Sequence, residues 1–441
     1  MKGEPEPFMN LRIDRGGMAS MLCAVLLCGL SACATKETTR PACPNPAEIA
    51  AGFTEPLATV RYLADDALEG RMSGSDGEHC AGEFIAARMA SIGLRGAGED
   101  GSYFQHVPLA STLQPHAPQG TGRNVVGLLE GSDPSLKHEI IVVGAHYDHL
   151  GWGAFSSLDN TRAVHNGADD NASGISAMLR VAALLAQGQR PARSVLFTAF
   201  TGEELGLLGS AYFVRSPTIP LRHARAMINM DMVGRLGDDE LIVYGVGTAR
   251  EWQALLQYQA RAAGVRLAEH PEGYGFSDHT SFYAQGVPVL HLFTNVHADY
   301  HKATDDWQKI DAAGIDKVAA MVTGLARTLG DPAARLTFVP GEEKPARLSN
   351  DGTRAYLGTV PDFSPVPRGV LLSGVTPGSP GDRAGMRRGD VLIRLGGQDI
   401  RDLQGFTNAL QAHRPGDEVD VGLLRQGQEI TLRAVLGRRG G

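Results

Sequence analysis

The chain has 441 residues, of which 43% are hydrophobic and 20% charged, and its formal net charge is −8. This length accommodates two domains, each with its own core, and the composition is that of a folded globular protein. The acidic balance provides no basic surface for nucleic acid, so we exclude nucleic acids as partners. The 55 glycines follow no period, which favours a loop-rich α/β protein and excludes a fibrous one.

The N-terminal segment has the features of an export signal. Two arginines precede the apolar run Met21–Leu30, which is too short to span a bilayer stably. The run ends in Leu-Ser-Ala-Cys, which resembles the bacterial lipobox, whose cysteine is lipidated. We therefore predict a lipoprotein signal peptide over residues 1–33, a lipid anchor on Cys33 and a tether over residues 34–46. The protein would then be exported and held on a bacterial membrane facing the periplasm; cleavage as an ordinary secretory signal is the alternative.

Cys43 and Cys80 are the cysteines that remain beyond this signal and anchor. An even pair in an oxidising compartment favours a disulfide, and two free buried thiols are the alternative. Neither cysteine lies near the acidic residues described below in the sequence, so we do not expect a thiolate nucleophile.

Strand-like and helix-like segments alternate from residue 47 to residue 331. Apolar, β-branched composition predicts strands at Glu139–His146, Ser194–Phe200, Ala224–Asp231 and Val287–Phe293. Between the first two, the apolar residues of the segment Ser173–Gln187 recur at helical spacing. This order predicts an α/β domain with a mostly parallel mixed sheet and helices on both of its faces.

Acidic residues and histidines follow the carboxyl ends of these strands. Because such loops converge on one crevice of a parallel sheet, we expect their side chains to share one rim. The candidates are His146, Asp148, Asp169, Asp170, Glu203, Glu204, Asp231 and His301. Carboxylate and imidazole groups are ligands that suit a pair of Zn²⁺ ions. One aspartate of the doublet Asp169-Asp170 would bridge both ions while its neighbour holds the loop.

The motifs HYDH, GADDNASG, TGEELGLLGS, NMDMVG, SDH and YHKATDD occur in the order found in co-catalytic di-zinc exopeptidases. That family comprises bacterial leucyl aminopeptidases, glutamate carboxypeptidases and glutaminyl cyclases, and residues 47–331 resemble it. The resemblance implies that Asp170 is the bridging residue, with a cis peptide bond after it. The implied metal ligands are His146, Asp170, Glu204, Asp231 and His301.

The resemblance also implies the chemistry, which is removal of N-terminal residues from peptides by a water bridging two zinc ions. Glu203 would be the general base, which requires a turn at Glu203-Glu204. Asp148 would fix the imidazole tautomer of His146. Tyr274 matches a position that in some relatives donates to the oxyanion, with simple packing as the alternative. The other histidines of the domain are expected to be structural: His149, His165, His279, His291 and His297.

Two further functions stay open at this point. A metallo-carboxypeptidase of the same family would need a cation for the substrate carboxylate, and none can be assigned. A non-catalytic peptide-binding scaffold lipoprotein would need no metal ligands, and the full ligand set argues against it. A glutaminyl cyclase is less favoured, because Glu203 beside two complete ligand sets favours hydrolysis.

The composition of the chain changes after a linker predicted over residues 332–347. Residues 348–437 resemble a PDZ domain of bacterial periplasmic proteases, on the segments AYLGT, GVTPGSPGDRAGMRRGDVLIRLGGQDI and DLQGFTNALQAH. In such small β-rich domains a peptide adds as a strand, and loop N–H groups receive its carboxylate. The loop here would be Tyr356, Leu357, Gly358 and Thr359. The resemblance implies that this domain binds peptides or a partner chain; a spacer without a ligand is the alternative.

Overall fold

The structure is a computed structural model, and it describes nine stretches of the chain. These are residues 42–109, 120–153, 157–159, 162–237, 240–341, 355–362, 366–376, 378–401 and 403–438. The predicted signal peptide and its lipobox Cys33 lie outside the described residues. Within those nine stretches, no helix combines the length and the apolar character needed to cross a bilayer.

The helices of the first domain lie between residues 46 and 329. They are α1 (Pro46–Ile49), α2 (Leu57–Leu63), α3 (Asp76–Ile92), α4 (Gly174–Gln187), α5 (Leu208–Arg215), α6 (Trp252–Ala263), α7 (His279–Tyr283) and α8 (Ala312–Leu329). Shorter 3-10 segments occupy Asp66–Arg71, Glu99–Gly101, Leu221–His223, Val246–Thr248 and Trp307–Lys309, and a π-helical turn occupies Ala168–Ser173. Side-chain caps start the two longest helices, since Ser75 accepts from the N–H of Glu78 and Asp311 from that of Gly314.

A mixed sheet of nine strands forms the centre of this domain. Its strands are β1 (Arg95–Gly96), β2 (Phe104–Pro108), β3 (Thr121–Leu129), β4 (Ile140–His146), β5 (Ser194–Phe200), β6 (Ala224–Met230), β7 (Glu240–Tyr244), β8 (Arg266–Glu269) and β9 (Val289–Phe293). Their order is β1-β3-β5-β4-β6-β9-β7-β8, with β2 also paired to β3. The four central strands β5, β4, β6 and β9 are parallel neighbours, and β3 and β7 flank them in the antiparallel direction.

Both faces of the central strands are covered. In β4, Ile141 and Val143 pack in the core that includes α3, α4 and α8. Ile140 and Val142 face the opposite way, into a second core with α5 and α7. This alternation is the two-residue period of a strand, here apolar on both faces because both are buried. The predicted α/β architecture is therefore confirmed, and the predicted strands match the observed ones within two residues at each end.

A disulfide joins Cys43, which precedes α1, to Cys80 in α3. The two cysteines are 37 positions apart in the sequence. The bond therefore attaches the beginning of the described chain to the buried side of helix α3.

The chain stays against the first domain after α8. The N–H of Val339 donates to the carbonyl of Thr248, and Phe338 forms a β-bridge with Ala249. The first part of the segment predicted as a linker therefore packs against the first domain.

The second domain has its own apolar core. Its elements are β10 (Ala355–Tyr356), β11 (Thr359–Asp362), β12 (Val370–Val375), α9 (Pro380–Ala384), β13 (Val391–Leu395), β14 (Gln398–Asp399), α10 (Leu403–Gln411), β15 (Glu418–Arg425), β16 (Gln428–Val435) and β17 (Gly437–Arg438). Strands β11-β12-β13-β15-β16 form one sheet with β14 beside β13, and β10 pairs with β17.

The predicted peptide-binding loop connects β10 to the edge strand β11. The carbonyls of Leu357 and Gly358 accept from the N–H groups of Gly381 and Thr376, at 2.7 and 2.8 Å. Gly358 has a φ of +82°, and a Cβ there would lie 2.1 Å from the Cβ of Ser379. Only glycine fits this approach of the loop to the start of α9.

Candidate metal centre

Every predicted ligand lies at the carboxyl end of the parallel strands. His146 is the last residue of β4, and Asp231 follows β6 directly. Glu204 lies in the loop after β5, Asp170 in the π turn before α4, and His301 in the loop after β9. The strand order places these loops side by side, so five residues from distant parts of the sequence meet at one rim.

The ligands form two groups that share Asp170. In the first group, Nε2 of His146 lies 3.3 Å from Oδ1 of Asp170 and 3.2 Å from Oδ1 of Asp231. In the second, Nε2 of His301 lies 3.2 Å from Oδ2 of Asp170 and 3.4 Å from Oε2 of Glu204. Each oxygen of the Asp170 carboxylate therefore serves a different group, as a bridging ligand must.

These separations fit zinc. A tetrahedral ion with ligands at about 2.0–2.1 Å has ligand atoms about 3.3–3.4 Å apart. All four measured distances, from 3.2 to 3.4 Å, agree with that spacing. The donor set of imidazole nitrogens and carboxylate oxygens is also one that zinc accepts. The residues present therefore fit a metal at each group.

The electrostatics of the cluster favour cations. Burial opposes a charge on His146, but Asp231 and Glu203 outweigh it and raise the pKa of His146 well above its ordinary range. The pKa of His301 is likewise raised well above normal, because Glu204 and Asp170 overcome the effect of burial. Burial alone would raise the pKa of Glu204, yet His301 and His149 lower it to about 2. The carboxylate of Glu204 therefore stays ionised beside the two imidazoles of raised pKa.

Glu203 and Glu204 lie in a turn between β5 and α5, as the predicted roles require. Gly202, with a φ of +67°, begins this turn. Oδ1 of Asp148 accepts the N–H of Glu203 at 3.1 Å, and Oδ2 of Asp148 accepts the hydroxyl of Ser73 at 2.9 Å. Burial, reinforced by Glu204 and Asp231 and opposed by His146, raises the pKa of Glu203 well above the ordinary carboxyl value.

Asp148 also lies next to His146, although its carboxylate is not the nearest acceptor. Nδ1 of His146 is 3.3 Å from the backbone carbonyl of Asp148 and 3.7 Å from its Oδ1. The carbonyl is therefore the closer group for fixing the imidazole tautomer, and the carboxylate mainly holds the turn that carries Glu203.

The loop around the acidic doublet is held from several sides. Asp169 accepts the N–H of Gly234 at 2.7 Å and lies 3.1 Å from Nε2 of His297. Oδ2 of Asp305 accepts the N–H groups of both Asp169 and Asp170. The peptide bond between Asp170 and Asn171 is cis, as the resemblance implies. Asp169 thus supports the loop while Asp170 faces the metal groups.

Arg71 is a buried cation beneath this loop, and the sequence motifs do not reveal its role. Its guanidinium donates to the carbonyls of Tyr147, Asn166 and Gly167, at 2.8, 2.6 and 3.1 Å, and to that of Leu63. Burial lowers its pKa to about 10, while the neighbouring carboxylates of the rim oppose that shift. Arg71 therefore fixes the backbone of the loops that carry His146 and Asp170 and adds a positive charge behind the acids.

His149 is expected from the sequence to be structural, but the structure places it against a predicted ligand. Its Nδ1 lies 3.0 Å from Oε1 of Glu204 and 3.9 Å from Oδ2 of Asp170. One ring nitrogen of His149, one carboxylate oxygen of Asp170 and one of Glu204 all lie within 4.8 Å of one another, which is close enough to hold a metal ion. The doubled histidine in HYDH was the available signal for this residue.

His279, His291 and His165 make their ring and hydrogen-bond contacts with residues outside the two ligand groups. The rings of His279 and His291 stack at 4.5 Å, and burial lowers the pKa of His279 to about 3 and that of His291 well below normal. His165 lies 2.8 Å from the hydroxyl of Ser157. His297, in contrast, contacts Asp169 as described above.

Tyr274 lies against Tyr283 in the core beside α7, with ring centroids 4.7 Å apart. Within the described stretches, its hydroxyl makes no hydrogen bond with the ligand residues. Packing is the role that the structure displays, and donation to an oxyanion stays a prediction.

Comparison with known families adds independent information. Residues 124–326 match the family model of peptidase family M28, and residues 352–436 match that of the PDZ domain. The first match spans the residues of both ligand groups.

The chain is also similar to individual proteins. It is 28% identical over 272 residues to leupeptin-inactivating enzyme 1 of Streptomyces exfoliatus, covering 61% of this chain and 54% of that protein. It is 28% identical over 240 residues to aminopeptidase YwaD of Bacillus subtilis, covering 52% and 47%. The chain thus spans about half the length of these curated relatives. Its fold resembles that of a zinc-dependent exopeptidase from Parabacteroides distasonis, with a TM-score of 0.51, 18% identity and coverage of 65% and 99%.

Proposed function

We propose, from the premise that residues 124–326 form a peptidase family M28 domain and residues 352–436 a PDZ domain, that this protein is a zinc aminopeptidase. It would hold two zinc ions per chain and remove N-terminal residues from peptides. The observation that carries the proposal is the carboxylate of Asp170, whose two oxygens face two separate histidines at 3.3 and 3.2 Å.

The proposed metal sites use the ligands already described. His146 and Asp231 would complete one site, Glu204 and His301 the other, and Asp170 would belong to both. Zinc bound there would supply Lewis-acid polarisation of the scissile carbonyl and a water of lowered pKa.

Glu203 is the proposed general base. Its carboxylate would take the proton of the attacking water and deliver it to the nitrogen of the leaving amine. Three features support this role: its partial exposure, its raised pKa, and the hydrogen bond from its N–H to Asp148. A base with a raised pKa holds the proton better between the two transfers than an ordinary carboxylate does.

The charges around the cluster favour an N-terminal ammonium over a C-terminal carboxylate as the group recognised. Glu203, Asp231 and Asp278 are acidic neighbours that influence one another electrostatically. Arg235 already pairs with Asp299 and with Asp305, at 3.3 and 3.2 Å. A carboxypeptidase needs a cation that is available to the substrate, so this arrangement supports the aminopeptidase.

An apolar cluster flanks the ligands and supports a preference for apolar N-terminal side chains. Met232 follows the ligand Asp231, and the ring of Tyr300 stacks on His301 with centroids 3.9 Å apart. The same cluster includes Phe276, Val296, Phe293, Ile242 and Tyr244. Partial exposure of Tyr300 and its neighbours Phe276 and Val296 leaves apolar surface for a substrate side chain.

A substrate panel on the full chain tests the activity. We expect cleavage of leucine p-nitroanilide and of leucyl peptides with amidated C-termini, and none of N-acetylated leucine p-nitroanilide. A chelator should abolish turnover and added zinc should restore it. Equal cleavage of free and N-acetylated substrates would refute the aminopeptidase, and full activity in zinc-free protein would refute the metal role. Glu203→Gln should retain both zinc ions and lose at least about 10²-fold in kcat.

The PDZ domain is proposed to bind peptide C-termini through the loop Tyr356, Leu357, Gly358 and Thr359. The position of β11 at the edge of its sheet supports strand addition. A fluorescent apolar peptide with a free carboxylate should bind the full chain, and its amidated form should bind at least about tenfold more weakly. Equal binding of both forms would refute carboxylate recognition, and binding of neither would favour a spacer domain.

The protein is further proposed to be exported and lipid-anchored through Cys33. The disulfide between Cys43 and Cys80 supports an oxidising compartment, although it does not address the anchor itself. In a bacterial host, labelled fatty acid should be incorporated into the native protein and not into a Cys33→Ala variant. Incorporation into neither, with export intact, would favour an ordinary secretory signal.

A further inference from the structure

We propose that His149 is a positioning residue for the zinc ligand Glu204. Its Nδ1–H would donate to Oε1 of Glu204 and so keep Oε2 directed at the ion shared with Asp170 and His301. This inference rests on the proposed function, since it assigns a task toward the zinc that the centre would hold.

The two oxygens of Glu204 have different partners. Oε1 lies 3.0 Å from Nδ1 of His149, which is an ordinary hydrogen-bond length. Oε2 lies 3.4 Å from Nε2 of His301, which is the spacing of two ligands on one zinc ion. The carboxylate is thus divided between a donor on one side and the metal group on the other.

The position of His149 is less suited to direct ligation. A ligand of the same ion would lie about 3.3–3.4 Å from the other ligand atoms. Nδ1 of His149 is 3.9 Å from Oδ2 of Asp170, whereas Nε2 of His301 is 3.2 Å from that atom. His149 approaches the oxygen of Glu204 that faces away from His301, and this is the position of a supporting donor.

The ring of His149 has little freedom to leave this position. The side chain is fully buried, and its backbone N–H donates to the carbonyl of Arg71 at 3.2 Å. A Cβ on Gly167 would lie 2.5 Å from both Cγ and Cδ2 of the ring. The absence of a side chain at Gly167 therefore makes room for the imidazole, and the surrounding backbone holds it against Glu204.

Fixing a carboxylate ligand in this way raises metal affinity. A ligand that is already oriented loses less side-chain entropy when the ion binds, and a hydrogen-bonded imidazole also stabilises the ionised form. Loss of such a supporting partner typically weakens metal binding by about 10–100-fold.

Zinc titration of the full chain, in competition with a chelator and without substrate, tests this role. His149→Asn places an amide N–H near the position of Nδ1, whereas His149→Gln places it near Nε2 and His149→Ala removes it. We expect the asparagine variant to bind both ions within about threefold of the native protein. The glutamine and alanine variants should bind one of the two ions about 10–100-fold more weakly. The matched control is His165→Ala. His165 is also buried, but its ring contacts Ser157 and none of the proposed ligands, so this variant should bind zinc normally.

Unchanged zinc affinity in the alanine and glutamine variants would overturn the inference. The inference would also be overturned if the asparagine variant bound zinc as weakly as the alanine variant, because the imidazole would then act as a ligand or through its shape. Cobalt substitution separates those cases, since loss of a ligating imidazole changes the visible spectrum and loss of a supporting donor leaves the ligand count intact. Zinc affinity does not depend on turnover, so a native protein that binds two ions without cleaving peptides would refute the proposed function alone.

Discussion

The backbone N–H of Glu203 donates a hydrogen bond to Oδ1 of Asp148 across 3.1 Å. Asp148 follows β4 and Glu203 follows β5, so this bond joins the loops of two adjacent parallel strands. The other oxygen of Asp148 is bonded to Ser73, and the whole carboxylate is buried. The proposed base is therefore positioned by a residue that belongs to the loop of His146, a proposed metal ligand.

Replacing Asp148 by alanine should reduce kcat by about 10–100-fold while both zinc ions stay bound. The reason is that the turn carrying Glu203 loses its acceptor, whereas the nearest acceptor for His146 is a backbone carbonyl that the substitution keeps. Steady-state kinetics with metal analysis of the same sample measures both effects. Asp316→Ala removes a carboxylate from a partly exposed ion pair with Arg180 and should leave kcat unchanged. Native turnover in the Asp148 variant would contradict the positioning role.

Zinc affinity should increase with pH across neutrality. The pKa values of His146 and His301 are both raised well above the ordinary 6.5, so these imidazoles carry protons at neutral pH that zinc must displace. Binding therefore becomes stronger as pH rises toward those pKa values, and about two protons should leave as both sites fill. Calorimetric titrations in buffers with different ionisation enthalpies measure the number released. Binding without proton release would contradict the assignment of these histidines as ligands.

Gly167→Ala should damage the centre, because a Cβ there would lie 2.1 Å from the carbonyl oxygen of Asp170 and 2.5 Å from His149. We expect the free energy of unfolding to fall by about 2 kcal/mol or more, together with weaker zinc binding. Gly264→Ala is the matched control, since Gly264 also has a positive φ but no atom within 4 Å of its Cβ position. That variant should lose about 1 kcal/mol and bind zinc normally. Equal behaviour of the two variants in both measurements would show that the close contact is unimportant.

Arg71→Leu should lower the free energy of unfolding by about 3 kcal/mol or more. The substitution removes the guanidinium donor from four carbonyls, of which only that of Gly167 accepts from a second donor within the described residues, the N–H of Ala172, and it removes the positive charge behind the acidic rim. Urea denaturation of zinc-free protein gives the value without the contribution of bound metal. Arg180→Leu, which breaks only the partly exposed pair with Asp316, should change this free energy by less than about 1 kcal/mol. A loss at Arg71 as small as that at Arg180 would show that water replaces the missing donor.

The sequence determined the four central parallel strands of the first domain, the helix α4 between two of them, and the edge of the sheet at which the acids and histidines meet. Apolar runs bounded by polar residues predicted β4, β5, β6 and β9 within two residues, because strands buried on both faces must be apolar throughout. The rule that loops at the carboxyl ends of parallel strands converge then located the proposed ligands at one rim. The choice of Asp170 over Asp169 as the proposed bridging residue came from the family resemblance.

Only the tertiary structure decided which atoms face one another. Arg71, His149 and Asp305 come from segments far apart in the sequence, and their contacts depend on side-chain directions that no periodic pattern encodes. A buried arginine bonded to carbonyls has the same sequence appearance as an exposed one. The two oxygens of Glu204 face His149 and His301 respectively, and this arrangement likewise depends on the packing of His149 against Gly167. Only the folded chain brings these segments together.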